Sequence, residues 1–188
     1  MLRKRVKIYG ISNRIYIRSI MADDRKVFDR ATLEREPDLS LVWPEYYESE
    51  WKRTAIKHYA RLVCAISLND TGEVIGFCEL RNLNTYYPYI GIQLLSEYTG
   101  KGYGGESITL LLRHIVKVKK NIRYFVWIAD EDNYPSNRCI SKLGGICFTR
   151  YPKNGDPFWE MEVAFGLIKK SDLKFWNKYG LLPDAFQE

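Results

Sequence analysis

A glycine-rich segment constrains this chain more than any other feature of its sequence. Residues 97–107 read EYTGKGYGGES, with glycine at four of the six positions from 100 to 105. Glycine adopts backbone conformations that other residues avoid and lets a backbone approach another group closely. The segment follows the apolar run YIGIQLL (89–95) and precedes a helical pattern of apolar residues over 104–119. It therefore predicts a strand, a tight loop and a helix whose N-terminus can hold an anion.

This segment matches the known phosphate-binding loops poorly. A P-loop places Gly-Lys-Ser/Thr at the end of its glycines, whereas Lys101 lies inside the run and Glu106 opens the helix. The spacing GxGxxG is met, and a strand ending in Asp130 follows, as in an NAD-binding Rossmann-like protein. Four polar residues separate the strand from the first glycine, however, and an antiparallel hairpin precedes it. A lone GxGxxG is a weak signal, and close packing of a helix on a sheet would also use glycine.

The remaining patterns predict an α/β fold with a mixed, mostly antiparallel central sheet and helices on both faces. The turn Asn-Asp-Thr-Gly (69–72) joins two β-rich runs and indicates a hairpin. The predicted order is a strand at 13–20, helices at 21–36 (Asp23 or Asp24 as N-cap) and 44–57, strands at 59–68, 73–80 and 89–95, a helix at 104–119, a doubly buried strand at 122–130, a helix at 134–143, and strands at 146–151 and 158–165. A single domain over 1–188 is expected, with its core at 13–165 and a packing helix and tail at 166–188.

Composition limits the classes of function. The chain has 46% hydrophobic and 28% charged residues, as a globular domain does, and it has no apolar run of membrane-spanning length. No signal peptide is expected, because no apolar segment follows the basic start MLRKRVKIYG. A cytoplasmic protein is expected. Four cysteines without a CxxC pair, and only two histidines, argue against a metal site and favour reduced, mostly buried thiols. The net charge of +6 fits an anionic ligand, nucleic acid or an evenly solvated surface. Nucleic acid is the weaker choice because the basic stretches are short and carry few aromatics.

Two specific motifs resemble those of a known family. The stretch IGIQLLSEYTGKGYGGES resembles motif A of the GNAT N-acetyltransferases, Q/R-x-x-G-x-G/A after strand four, with Thr99 in place of Gln or Arg. The stretch NYPSNRCISKLGG (133–145) resembles motif B of the RimJ/RimL-type branch, and NRIYIRSIMADD (13–24) resembles its opening strand and helix. The resemblance covers essentially 13–165. It implies the GNAT fold and transfer of an acetyl group from acetyl-CoA to a primary amine, by direct attack in a ternary complex.

The resemblance also implies a binding site for acetyl-CoA. The backbone of the strand near Gln93 would pair with the pantetheine arm, and the N–H groups of the glycine loop would hold the pyrophosphate. Lys101 would add charge there, or be an exposed loop lysine. The implied binding residues are Gln93, Leu94, Thr99, Gly100, Lys101, Gly102, Tyr103, Gly104, Gly105, Asn133 and Ser136.

Catalysis requires a base for the amine and a proton for the departing thiolate. Glu79, Glu160 or Glu162 could be the base, although each is also a plausible solvent-facing strand carboxylate. Many relatives place a proton-donating tyrosine four residues before the K-L-G glycine, where this chain has Ile140. Ser136 is the preferred substitute, with Tyr134 the second candidate and Cys139 nearby. Ser136 could instead cap a helix that begins near Asn137, and Asn133 could be only a helix cap.

The acceptor amine stays open at this stage. A protein or peptide N-terminus, a ribosomal protein, a polyamine or a small amine would each fit the motifs. The branch commonly has Glu where this chain has Tyr89, so the resemblance does not select one acceptor. A catalytically silent acyl-CoA-binding module is the main alternative to an enzyme, and a homodimer is one candidate assembly.

Overall fold

The computed structural model describes residues 6–35, 37, 51–52, 60–119, 121–122, 124–130, 133–151 and 163–169. In these parts eight strands form one sheet, on which three α-helices pack. The strands are β1 (Ile8–Ile11), β2 (Ile15–Ser19), β3 (Arg61–Leu68), β4 (Val74–Arg81), β5 (Tyr89–Leu94), β6 (Tyr124–Asp130), β7 (Ile146–Tyr151) and β8 (Val163–Lys169). The helices are α1 (Arg25–Arg35), α2 (Tyr103–Val118) and α3 (Tyr134–Lys142), and 3₁₀ turns lie at Ala22–Asp24 and Ser96–Tyr98.

The sheet is mixed and mostly antiparallel, as predicted. Its strand order is β1-β2-β3-β4-β5-β6-β8-β7, and within the described strands only β5 and β6 run parallel. The predicted hairpin is β3–β4, in which Cys64 lies opposite Cys78. A Rossmann-like sheet is excluded because that fold requires successive parallel strands with helical crossovers.

Helices cover both faces of the sheet. The long helix α2 buries Ile108, Leu111, Leu112 and Ile115, the four positions that the helical spacing marks, against residues such as Ile15 of β2. On the opposite face Phe28 of α1 packs against Ala65 and Phe77. The fold class predicted from the sequence is therefore confirmed.

Some predicted elements differ from the structure. The strand β1 was not predicted, and the last strand, Val163–Lys169, continues past the predicted end at residue 165, while 158–162 lie outside the described residues. The N-cap of the 3₁₀ turn that leads into α1 is Met21, so the prediction of Asp23 or Asp24 is wrong. The Asp24 carboxylate, three residues on, accepts hydrogen bonds from the Met21 amide and from Arg18, and it joins the helix start to β2. The helices predicted at 44–57 and after residue 170 lie outside the described residues, apart from the helical pair at 51–52.

The strands β5 and β6 separate soon after they meet. Only Tyr89 and Ile90 of β5 have register partners in β6, namely Val126 and Trp127. Beyond that point the edge of β5 that faces β6 has no strand partner among the described residues. The prediction of a doubly buried strand holds for most of β6, but Ile128 is 42% exposed because it faces the gap.

In the described part of the chain, no helix combines the length and apolar character that crossing a bilayer requires. Three of the cysteines, Cys64, Cys78 and Cys139, are free thiols, the first two buried and the third half-buried.

Candidate active site

The glycine loop turns the chain from β5 into α2 through two left-handed residues. Gly100 has φ +72° and Gly102 has φ +86°, in the region that strongly favours glycine. A Cβ on Gly100 would meet nothing within 4 Å, so the loop surface there is open. Gly104 lies beside the Ile92 and Leu94 side chains, which brings the helix start close to β5.

Backbone amides without an intrahelical acceptor lie at the start of α2. The first intrahelical bond is donated by the Glu106 amide to the Gly102 carbonyl at 3.2 Å. The amides of the first three helical residues, Tyr103 to Gly105, therefore have no acceptor within the helix. The Thr99 amide donates to the Ser96 carbonyl at 3.1 Å. It is thus used in the preceding turn, and the cradle that the loop offers to an anion is built from residues after Thr99.

An ion pair between the exposed Arg14, directly before β2, and the buried Glu106 fastens the loop to the start of β2. The Glu106 carboxylate is buried and accepts hydrogen bonds from Arg14 and from the Ser12 hydroxyl. The Arg14 guanidinium also donates to the Lys101 carbonyl at 3.1 Å and lies 4.5 Å from the centre of the Tyr103 ring. Arg14 therefore neutralises a carboxylate directly beneath the free amides, and it holds the loop backbone. The sequence did not indicate this pair.

We expect Arg14→Met to destabilise the protein and to weaken anion binding at the loop. Removal of one partner leaves the buried Glu106 carboxylate less well paired, at a cost of about 2 kcal/mol in the free energy of unfolding. Chemical denaturation measures that cost. The double variant Arg14→Met/Glu106→Gln should recover part of it, whereas a fully additive loss would contradict the ion-pair explanation.

The Tyr98 side chain fixes the other end of the loop. Its hydroxyl donates to the Glu73 carboxylate at 2.9 Å, and this bond raises the pKa of Tyr98 above its ordinary value. The Lys101 ammonium lies 5.4 Å from the centre of the Tyr98 ring and is exposed. Lys101 can therefore reach an anion at the loop, although its position is also that of an ordinary surface lysine.

A cleft of about 530 Å³ opens on the α1 face of the sheet, where β5 and β6 separate. It runs from Gln93 past Gly91 to Trp127 and the start of α3. Gln93 donates to the Thr32 hydroxyl of α1 at 3.2 Å. Leu94 ends β5, and a short 3₁₀ turn leads from it to Gly100, so the unpaired edge of β5 lies between the loop and the cleft.

The start of α3 forms one wall of the cleft. Asn133 caps the helix, because its Oδ1 accepts the Ser136 amide at 3.2 Å. The helix begins at Tyr134, so the expectation that Ser136 caps a helix starting near Asn137 is wrong. The Ser136 hydroxyl instead accepts a hydrogen bond from the indole of the buried Trp127 at 2.9 Å. Both Asn133 and Ser136 line the cleft.

The other candidates for proton donation lie elsewhere. Tyr134 is 76% exposed and does not line the cleft. Burial raises the pKa of the Cys139 thiol to about 11, against a smaller lowering by Lys142, and Cys139 also lies outside the lining. Ile140 is buried and carries no proton to give. Of these side chains, only Ser136 faces the cleft.

Glu79 lies on the floor of the cleft. Its carboxylate accepts from the Arg61 guanidinium at 2.6 Å and from Arg81 at 3.3 Å. Gly91, opposite on β5, makes room for it, since a Cβ there would lie 2.8 Å from Glu79 side-chain atoms. Glu160 and Glu162 lie outside the described residues.

The fold and this cleft define a class of protein: an acyltransferase in which a splayed sheet leads from a glycine loop to an open pocket. The chain belongs to the family described as Acetyltransferase (GNAT) domain, whose sequence model matches residues 14–146. The predicted family and the predicted enzyme class, an N-acetyltransferase, are thereby confirmed. None of the curated proteins matches the chain significantly in sequence.

Solved structures resemble the chain in fold. RimL, a ribosomal L7/L12 alpha-N-protein acetyltransferase in complex with coenzyme A, aligns with a TM-score of 0.71 at 19% identity, over 87% of this chain and 98% of RimL. RimJ from Mycobacterium smegmatis, in complex with CoA-disulfide, gives 0.68 at 16%, over 94% and 93%. A chimera of the spermidine N-acetyltransferase SpeG from Vibrio cholerae and hSSAT gives 0.67 at 16%, over 87% and 98%. At these identities the likeness concerns the fold.

Proposed function

We propose that the chain transfers the acetyl group of acetyl-CoA to a primary amine by direct attack in a ternary complex. The observation that carries this proposal is the continuous path from the free amides at the start of α2, along the unpaired edge of β5, into the cleft. Pyrophosphate would bind the amides, and the pantetheine arm would bond to the β5 backbone as an added strand would. The thioester would then lie in the cleft.

The proposed acetyl-CoA site combines the loop, β5 and the start of α3. Gln93 and Leu94 supply backbone groups for the arm, and the residues from Gly100 to Gly105 supply amides and, at Lys101, a charge. Asn133 and Ser136 lie at the thioester end. Thr99 shapes the turn, because its amide is already bonded.

Three residues are proposed for proton transfer and positioning. Ser136 would give a proton to the departing thiolate, since its hydroxyl faces the cleft and its oxygen is held by Trp127. Tyr134 is the weaker candidate because of its exposure. Glu79 is the one carboxylate among the described residues that line the cleft, and it would take the ammonium proton directly or through water.

Further parts of the proposal concern the branch of the family, the acceptor amine, the cellular location and the assembly. The motif at 133–145 supports a RimJ/RimL-like branch. The proteins of similar fold include RimL, described as a ribosomal L7/L12 alpha-N-protein acetyltransferase, and a spermidine N-acetyltransferase chimera. A peptide N-terminus, a polyamine and a small amine are therefore all candidate acceptors. We propose a single-domain cytoplasmic enzyme, with a homodimer as the assembly to test.

The direct experiment follows release of the CoA thiol from acetyl-CoA with a panel of primary amines. Mass spectrometry then identifies any acceptor that gains one acetyl group. Tight CoA binding with no acetyl transfer to any amine would instead support the catalytically silent acyl-CoA-binding module.

Asn133 tests whether the start of α3 contacts the substrate or only needs a cap. Asn133→Ala removes the cap, worth about 1 kcal/mol, and also the side-chain amide donor. Asn133→Ser keeps a good cap but shortens the side chain. If the amide binds acetyl-CoA, we expect both variants to raise the KM for acetyl-CoA by about tenfold, a loss of about 1.4 kcal/mol. Wild-type kinetics in Asn133→Ser would show that Asn133 is a cap alone.

A further inference from the structure

The acceptor side of the cleft carries more positive charge than its one described carboxylate can balance. Arg61 of β3 and Arg81 of β4 line it, and we call these two residues the arginine cluster. Arg61 and Arg81 against Glu79 leave an excess of one positive charge in this part of the cleft. A cleft of one sign of charge concentrates ligands of the opposite sign.

The two residues of the arginine cluster face each other across the hairpin. Arg61 and Arg81 are direct register partners in the antiparallel pair β3–β4. Like charges at such positions destabilise a sheet. Glu79 lies diagonally between them and pairs with both, yet one carboxylate cannot use the five N–H donors of each guanidinium. The Arg81 side chain is 54% exposed, so part of its guanidinium is accessible from the cleft.

The pyrophosphate of acetyl-CoA does not account for these charges. Arg81 is opposite Tyr89, at the beginning of β5, whereas the glycine loop follows Leu94 at its end. Five strand residues span roughly 16 Å. The arginine cluster and the phosphate cradle are therefore at opposite ends of β5, with the separation of β5 from β6 between them.

We infer that the acceptor is a primary amine that also carries a carboxylate, which binds Arg61 and Arg81 while the amine faces the thioester near Ser136. This inference rests on the proposed acetyl transfer. The carboxylate can come from a small amino acid or from an acidic side chain next to a peptide N-terminus, because the recognising chemistry is the same. A polyamine would meet two guanidinium groups and a carboxylate that is already paired with both of them.

Equilibrium binding to the CoA-loaded protein tests this inference without requiring turnover. The probes are three peptides that begin with serine and continue with two glutamates, two glutamines or two lysines, together with free glutamate, free glutamine and spermidine. We expect at least one glutamate-containing probe to bind about tenfold more tightly than its glutamine counterpart, about 1.4 kcal/mol. The preference should shrink as salt is added. Equal binding of each matched pair, or tighter binding of the lysine peptide or spermidine, would overturn the inference.

Variants locate the preference within the cleft. Arg81→Gln should reduce the glutamate-over-glutamine ratio to about twofold or less, and Arg81→Lys should keep part of it because charge remains without the planar fork. Lys7→Gln is the control: it makes the same change in net charge but next to the edge strand β1, and it should keep the full glutamate-over-glutamine ratio. An undiminished ratio in folded Arg81→Gln would contradict the assignment. Acetyl transfer is measured separately: a glutamate probe that binds selectively but is never acetylated would refute the proposed activity while supporting the anionic acceptor site.

Discussion

Gly102→Val is expected to weaken acetyl-CoA binding by about a hundredfold or more, while the rest of the fold stays intact. Gly102 adopts φ +86° and caps α2. A β-branched residue is strained there, so the loop would change conformation and move the free amides away from the pyrophosphate. A hundredfold loss corresponds to about 2.7 kcal/mol, the scale of a few charge-assisted hydrogen bonds. Isothermal titration with CoA measures it.

A matched variant separates backbone strain from the binding role. Gly72 has φ +74° in the β3–β4 turn, away from the loop, so Gly72→Val introduces the same kind of strain. Both variants should lose about 1–2 kcal/mol of stability. Only Gly102→Val should lose CoA affinity. Unchanged affinity in folded Gly102→Val, or an equal loss in Gly72→Val, would refute the pyrophosphate assignment.

Local sequence patterns predicted the helices and strands that have clear hydrophobic spacing or characteristic turn residues. The stripe on α2 and the β3–β4 hairpin follow from spacing and turn chemistry, both of which act over a few residues. The strand β1 was not predicted, because a bulge between Ile8 and Gly10 breaks the alternation of buried and exposed residues and its end residues Ile8 and Ile11 are exposed. The end of the last strand was misplaced because Gly166 interrupts its apolar run, and glycine weakens a strand pattern.

The site was predictable where a motif marks it and not where distant residues meet. The glycine loop and Asn133 stand in recognisable motifs. Arg14 and Glu106 are 92 positions apart, and no local rule pairs them. The partner of Ser136 is the indole of Trp127 on β6, and this contact depends on how α3 packs against the sheet. The facing pair Arg61 and Arg81 was also hidden, because a bulge between Ile66 and Ser67 shifts the register that the hairpin turn sets.

Ser136→Ala is expected to lower turnover by roughly a hundredfold at saturating substrates, the usual contribution of a positioned general acid. The Ser136 oxygen accepts the Trp127 indole N–H, which leaves the hydroxyl proton available to the cleft. The variant also leaves a buried indole donor unsatisfied, at a cost of about 1–3 kcal/mol of stability. Thermal unfolding therefore accompanies the kinetic measurement. Tyr134→Phe should change turnover by less than about twofold, because an exposed side chain outside the cleft is not expected to act as the acid.

Trp127→Phe distinguishes a positioned proton donor from a merely structural serine. It keeps the Ser136 hydroxyl but removes the N–H that orients it, so we expect turnover to fall by about tenfold with little change in either KM. Combined with Ser136→Ala it should cost no more than Ser136→Ala alone, because both changes act on one group. Additive losses would show that the two residues act independently.

A hundredfold loss of turnover in Tyr134→Phe, with turnover of Ser136→Ala nearly unaffected, would assign the acid to Tyr134. Losses below tenfold in both would point to water as the proton source.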